Sequence, residues 1–404
     1  MTRALLVAVA MTLPAAAWAD GACVAVTGDL LGFEPAPIEA GRRVLHVGPD
    51  RELGTPAAAA RAARDGDVIL IDAAEYPDSR AVWPQDRLLI RGINGRPHLV
   101  GGSNLAQGKA IWVFNGDEVV VENVEFSGAR LASGNGAGIR AQGRRLTVRA
   151  GYFHDSDTGL LSDNDPEQQI TIEYSEFARN GHEDGKAHNL YIGSIGRFEM
   201  RFSSSSGART GHLLKSRAKQ NLIAYNRLAD MPPGPASYEL DFPRSTDATV
   251  IGNLILQAEA SPNGAILSYG AEDKGRVPEG RLRIASNTFV SLRSRPVFVV
   301  NHSPVPALVV GNVFGGAAGE HVRGPAEVRA SLAAPLGAFA DPAALDFRLR
   351  EPAAPSRDAV PVIGDRPADL IPEFEYVHPG AARVRTNTSR GLPGGFGSCD
   401  GSAS

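Results

Sequence analysis

The residues best suited to chemistry lie between Gly185 and Arg217. Two segments there read as one strand written twice: His188-Asn189-Leu190-Tyr191-Ile192-Gly193 and His212-Leu213-Leu214-Lys215-Ser216-Arg217. Their starts are 24 residues apart (212 less 188). Side chains alternate between the faces of a strand, so Leu190, Ile192, Leu214 and Ser216 are expected inward. Tyr191, Gly193, Lys215 and Arg217 then face outward, and His188 and His212 stand just before them. A phenol, an amine, a guanidinium and two imidazoles on one face suit proton transfer beside an anionic group. An amine next to another cation also holds its proton less tightly.

Something must stack these segments. Neighbouring strands of a sheet lie about 4.8 Å apart. The expected outward column is Arg140, Leu161, Tyr191, Lys215, Asp241 and Leu267. The column beside it is Gln142, Asp163, Gly193, Arg217, Pro243 and Tyr269, and Glu239 is expected on the face of Asp241. Lys215, Arg217, Tyr191 and His212 are therefore the catalytic candidates. His188, Arg140, Asp163 and Tyr269 are the candidates for holding a substrate. A slip of one residue would turn any of these strands over. Each residue also has a plainer role: a solvated charge, a rung of a cross-strand ion-pair ladder, an imidazole packed at a corner. Asp155, Asp157, Asp163 and Asp165 surround a turn, where Asp serves turn geometry as readily as it serves Ca²⁺.

The stacking device is a repeat. Val121 to Phe126, Val148 to Phe153, Ile172 to Phe177, Ile223 to Leu228, Val250 to Ile255, Ile284 to Phe289 and Val309 to Phe314 are variants of one pattern. Their closing apolar residues are separated by 27, 24, 51, 27, 34 and 25 residues, and Met200 to Ser205 fills the long gap as a degenerate unit. This is the spacing of a solenoid of roughly 20–30 residues per turn. Asn226, Asn253, Asn287 and Asn312 recur in register, which suits an asparagine ladder along the axis. Nine to eleven coils are expected, roughly, from this period. Thr55 as N-cap and Pro56 at the first helical position open a short Ala-rich helix that Asp65-Gly66 stops.

Composition agrees with a turn-rich β protein: 45 Gly, 28 Pro and 6% aromatic residues in 404. A net charge of −4 gives no reason to expect nucleic acid or a membrane surface as partner. A basic start, an apolar run from Ala4 to Trp18 and the close Ala17-Trp18-Ala19 predict a signal peptide over 1–19, hence a secreted or periplasmic protein without a membrane span. Residues Asp20-Gly21-Ala22 make a poor lipoprotein signal before Cys23. An oxidising compartment permits a Cys23–Cys399 disulfide as well as two free thiols. Residues 20–324 are expected to form the solenoid with its cap. Residues 325–404, rich in Pro, Gly and Ala, are expected as an extension packed along it.

The short helix before the strand Asp67-Val68-Ile69-Leu70-Ile71, the coils and the basic outer face resemble the pectate-lyase-like superfamily of right-handed parallel β-helices. The resemblance spans about residues 44 to 320. It implies an all-β solenoid with a capping helix and a carbohydrate-active groove: a polysaccharide lyase, a uronan C5-epimerase or a glycoside hydrolase, with a non-catalytic polysaccharide-binding protein as the other reading. It implies β-elimination on a uronate, with Lys215 as base and Arg217 neutralising the carboxylate; Tyr191 or His212 is then the expected donor of a proton to the leaving oxygen. It also implies Ca²⁺, for which Glu239 and Asp241 are the matching carboxylates. Lys215 and Arg217 depart from the family pattern by sharing one strand. A hydrolase would instead use Glu239, Asp241 and Asp163. An acidic polysaccharide is the expected partner, and a monomer the expected state.

Overall fold

The computed structural model describes residues 30–232, 234–350, 367–385 and 393–395. The predicted leader, Cys23 and Cys399 lie outside the described residues. The chain winds into a right-handed parallel β-helix with three sheets of twelve, eleven and ten strands. Sheet I begins with Val44–Val47, sheet II with Glu75–Pro77 and sheet III with Ala81–Trp83. Each coil feeds them in turn, as in Val119–Glu122, Glu125–Ser127 and Ala137–Ala141. All strand pairs within these sheets are parallel, as in Phe126 beside Phe153 and Tyr191 beside Lys215.

Each repeat read as one strand is two strands bent around a corner. Gln220–Ala224 ends sheet I's strand, Tyr225 and Asn226 turn, and Arg227–Ala229 starts sheet II's. The first corner residue is left-handed: φ is 52° at Tyr174, 53° at Phe202 and 57° at Tyr225, and glycines at 252 and 311 take the same place. That conformation is unfavourable for a side chain with a Cβ. The second corner residue secures it. The Asn253 side-chain oxygen accepts from both the backbone and the side-chain amide of Asn226 (2.8 and 3.0 Å), Asn287 does the same for Asn253, and Asn312 for Asn287. Upstream, Ser203 and Ser175 continue the ladder through their hydroxyls.

The core runs along the axis. Phe126, Phe153 and Phe177 stack with ring centroids 4.9 and 4.7 Å apart, and Phe289 lies 5.6 Å from Phe314 on the same line. The gap between them is filled by Ser205, Leu228 and Ile255. At the N-terminal end the helix Pro56–Ala62 covers the first coil. The Thr55 hydroxyl caps it, and Ala59 and Ala60 are buried against the coil. The last strands of the three sheets are Glu320–Arg323, Ala326–Arg329 and Leu332–Ala334. Phe339, Phe347 and Leu349 then cover the outer face of sheet II, and Leu370, Phe374 and Ala382 pack over Phe202 and Tyr225. No described helix is long and apolar enough to cross a membrane.

Candidate active site

The outward column of sheet III runs Arg140, Leu161, Tyr191, Lys215, Asp241, Ser268 by register. The expected order holds through Asp241 and then slips by one. Ser268, not Leu267, stands beside Asp241, and Leu267 follows Leu240 into the core. Tyr269 turns inward with the slip. It is fully buried, and its hydroxyl donates to the Thr246 carbonyl at 2.8 Å, so it offers nothing to a bound sugar. The reason is the period of two: one residue of error exchanges the faces.

Glu239 also departs from expectation. It pairs in position with Leu213 and Asn189, where the chain rounds the corner into sheet III, and there two successive residues face inward. Glu239 is fully buried, and among the described residues neither carboxylate oxygen has a hydrogen-bonding partner. Burial pushes its carboxyl well up, helped by nearby Asp230, which burial raises to about 7. Glu239 and Asp241 therefore face opposite sides of the wall and do not fit a shared Ca²⁺, which needs six or more oxygens converging on one point. The acidic turn does not converge either. Asp157 accepts from the Leu131 and Gly136 amides, Asp165 from the Glu167 amide, and Asp155 pairs with Arg179 and Arg209.

What the structure does bring together is a dense charged row. Lys215 Nζ lies 3.0 Å from Asp241 Oδ2 and 3.7 Å from Glu272 Oε1. Arg217 grips Glu272 with two parallel bonds, 3.0 Å from Nε and 2.7 Å from Nη2. Its Nη1 donates to the Tyr191 hydroxyl at 2.6 Å, and the guanidinium lies over the Tyr191 ring. The two cations are thus matched by two carboxylates, and the groove is locally balanced rather than basic. Burial pushes the Asp241 carboxyl up against the pull of Lys215, while the bond from Arg217 holds Glu272 below the usual range.

The imidazoles are held in one form. His188 and His212 stack with centroids 4.5 Å apart. The His212 backbone amide donates to His188 Nδ1 at 3.0 Å, and the Tyr238 amide donates to His212 Nδ1 at 3.2 Å. Each Nδ1 is therefore an acceptor, and the proton of each neutral ring sits on Nε2. Burial, then Lys215 and Arg217, lower His212 to about 3, and burial puts His188 well below its ordinary value. His212 Nε2 faces Asp241 at 3.6 Å. Neither ring is a base; His212 faces the groove as a donor, whereas His188 is buried behind it and does not reach a substrate as expected.

Asp163 and Arg140 continue the floor one and two coils before Tyr191, with Arg140 Nη2 3.5 Å from Asp163 and Gln142 donating to Asp163 at 3.3 Å. Leu161, between Arg140 and Tyr191, and Val113, Ala106 and Ala110 beyond Arg140 form an apolar cluster against which Tyr191 packs. Glu272 escaped the sequence reading. It lies 55 residues from Arg217, in the loop after the strand Ala265–Tyr269. The 34-residue gap between Ile255 and Phe289 was the one signal of an excursion there.

No family model matches this chain, and no curated protein does. Among solved structures the chain is similar to pectate lyase Pel9A (TM-score 0.44, 13% identity, 71% of this chain and 77% of that one). It is similar also to ORF18 of Geobacillus virus E2 (TM-score 0.40, 15% identity, 69% and 57%). A third is the PL6 family alginate lyase AlyGC (TM-score 0.35, 11% identity, 87% and 56%). The β-helix itself is read from its own three sheets.

Proposed function

We propose that the sheet III face is the active groove of an exported polysaccharide lyase that cleaves a uronate-containing glycan by β-elimination. The observation that carries the proposal is the Arg217 fork. It already holds a carboxylate, that of Glu272, with the Tyr191 phenol and the Lys215 amine beside it. A uronate carboxylate that displaced Glu272 would meet the same bidentate grip, which withdraws charge and acidifies the proton at C5. Lys215, after passing its proton to Asp241, takes the C5 proton. The C4–O bond breaks, the C4=C5 double bond forms, and the Tyr191 hydroxyl, held by Arg217, gives its proton to the leaving oxygen. His212 offers Nε2–H beside Asp241, and the buried His188 holds that ring by stacking on it. Arg140, Asp163 and the apolar cluster extend the groove. No step needs a metal ion held by Glu239 and Asp241.

The test is incubation of the purified protein with a panel of acidic glycans, read by near-UV absorbance of the unsaturated product. Lys215→Ala and Arg217→Lys abolish that signal on this reading, because Lys cannot reproduce the planar fork. A second reading, a glycoside hydrolase, is favoured by Asp241 and Glu272. Their environments push the two carboxyls in opposite directions, the pattern of an acid and a nucleophile or base. That activity would release reducing ends with no new absorbance, and absorbance-silent cleavage that Asp241→Asn stops would replace the lyase assignment.

A further inference from the structure

Sheet II carries a second constellation, on a different face from the groove. His98, Glu125 and His154 come from three successive coils and project outward from the strands His98–Val100, Glu125–Ser127 and Tyr152–His154. Glu125 lies directly beside His98, and His154 stands two residues along, beside Ser127. One donor atom from each lies within 4.8 Å of the others. His154 Nε2 is 3.0 Å and His98 Nε2 is 3.6 Å from the same oxygen, Glu125 Oε1. Ser127 Oγ is 2.7 Å from His98 Nε2. The three side chains are only 28%, 22% and 14% exposed, so the cluster is sheltered yet open to an ion from solvent.

We infer that these three residues form a binding site for a divalent transition-metal ion of the zinc class. The outer contacts are those of a metal-binding histidine. His154 Nδ1 lies 2.8 Å from Asp155 Oδ2, nearer than the 3.4 Å to Arg179 Nη2. Asp155 is itself gripped by Arg179 and Arg209 at 2.6 and 2.7 Å. A carboxylate on Nδ1 keeps the proton there in a neutral ring and aims the Nε2 lone pair inward. With the proton on Nδ1, the Nε2 lone pair faces Glu125 Oε1 at 3.0 Å, a pair of donors that a bound cation would bridge. Two imidazoles and one carboxylate suit zinc or its neighbours, whereas Ca²⁺ takes oxygen donors alone. Ligand atoms around a tetrahedral ion with bonds of about 2.0–2.1 Å sit about 3.3 Å apart, close to the 3.0 and 3.6 Å that separate the two imidazole nitrogens from Glu125 Oε1. Three protein donors leave one position for water. Bound metal would also tie together three coils of the N-terminal half.

The experiment uses the untagged full chain, stripped with a chelator. Zn²⁺ is titrated by calorimetry, and Co²⁺ by visible absorption as a reporter of imidazole ligation. The expected result is one Zn²⁺ per chain, not displaced by millimolar-scale Ca²⁺. Glu125→Gln, nearly isosteric and so safe for the fold, and His154→Gln each weaken binding at least about 100-fold. Asp155→Asn, which only removes the outer partner, weakens it about 10- to 100-fold. Lys215→Ala, on the other sheet, binds as the parent does. If the stripped chain takes up no Zn²⁺, the acceptors are bridged by a proton and the inference fails. It fails equally if Zn²⁺ binds with parent affinity to a folded Glu125→Gln variant.

Discussion

Lys215→Met is the most informative single change, because sequence and structure assign it different costs. On an open strand face an outward lysine is a solvated charge whose loss costs within about 0.5 kcal/mol. Here the Lys215 side chain is 14% exposed and its partner Asp241 6%, at 3.0 Å. Removing one member of a buried pair costs about 3–5 kcal/mol, because the other charge is left without compensation. Lys215 is not wholly buried, and Asp241 can escape by taking up a proton, so about 2–3 kcal/mol is expected near pH 8. The pH dependence has a definite sign. Burial raises the Asp241 carboxyl in the folded state, and loss of Lys215 removes what pulls it back. A carboxyl raised on folding favours the folded state below its unfolded pKa, and that advantage is lost as pH climbs through the folded value. The deficit of Lys215→Met is therefore small near pH 4 and full near pH 8. Lys215→Met with Asp241→Asn should recover most of the loss. Urea denaturation of parent, single and double variants at both pH values measures this. A single variant within about 0.5 kcal/mol of the parent at pH 8, or a double variant no better than the single, would refute the buried-pair argument.

Three further outcomes are expected. Asn253→Ala strips partners from both amide hydrogens of Asn226 that it accepts and from the Ile223 carbonyl; with each buried orphan costing about 1–3 kcal/mol, chemical denaturation should show a loss of about 3 kcal/mol or more, with the groove chemistry untouched in the fraction that stays folded. Phe153→Ala opens the stack between Phe126 and Phe177 and should cost about 3–5 kcal/mol in the same assay; a loss below about 1 kcal/mol would mean the coils close over the gap. Asp230→Asn should stabilise the protein at pH 8, by up to about 4 kcal/mol, and make no difference near pH 3, since Asp230 is raised to about 7 and its ionised form is disfavoured inside the solenoid; equal stability of the two proteins at pH 8 would show that Asp230 finds a partner.

The winding of the chain was legible in its residues because a solenoid repeats one local problem. Every coil must turn the same corner and fill the same axial slot, so Asn226, Asn253, Asn287 and Asn312, and Phe126, Phe153, Phe177, Phe289 and Phe314, recur at the interval of a coil. The same repetition placed Tyr191, Lys215 and Asp241 on one row, since they follow from strand alternation and stacking alone. Where the period broke, sequence had no ruler. The slip that turns Tyr269 inward and the corner that buries Glu239 depend on how much chain each coil spends in its turns, which only backbone pairing decides. Glu272 comes from the loop after Ala265–Tyr269, yet it occupies Arg217, the fork on which the proposed reaction rests. His98, Glu125 and His154 belong to three coils and two positions along the strand, with no shared motif to announce them. Such groups meet because folding brings coils within about 5 Å of one another. That proximity, rather than order along the chain, decides which charges are paired, which are buried, and which are left to meet a ligand.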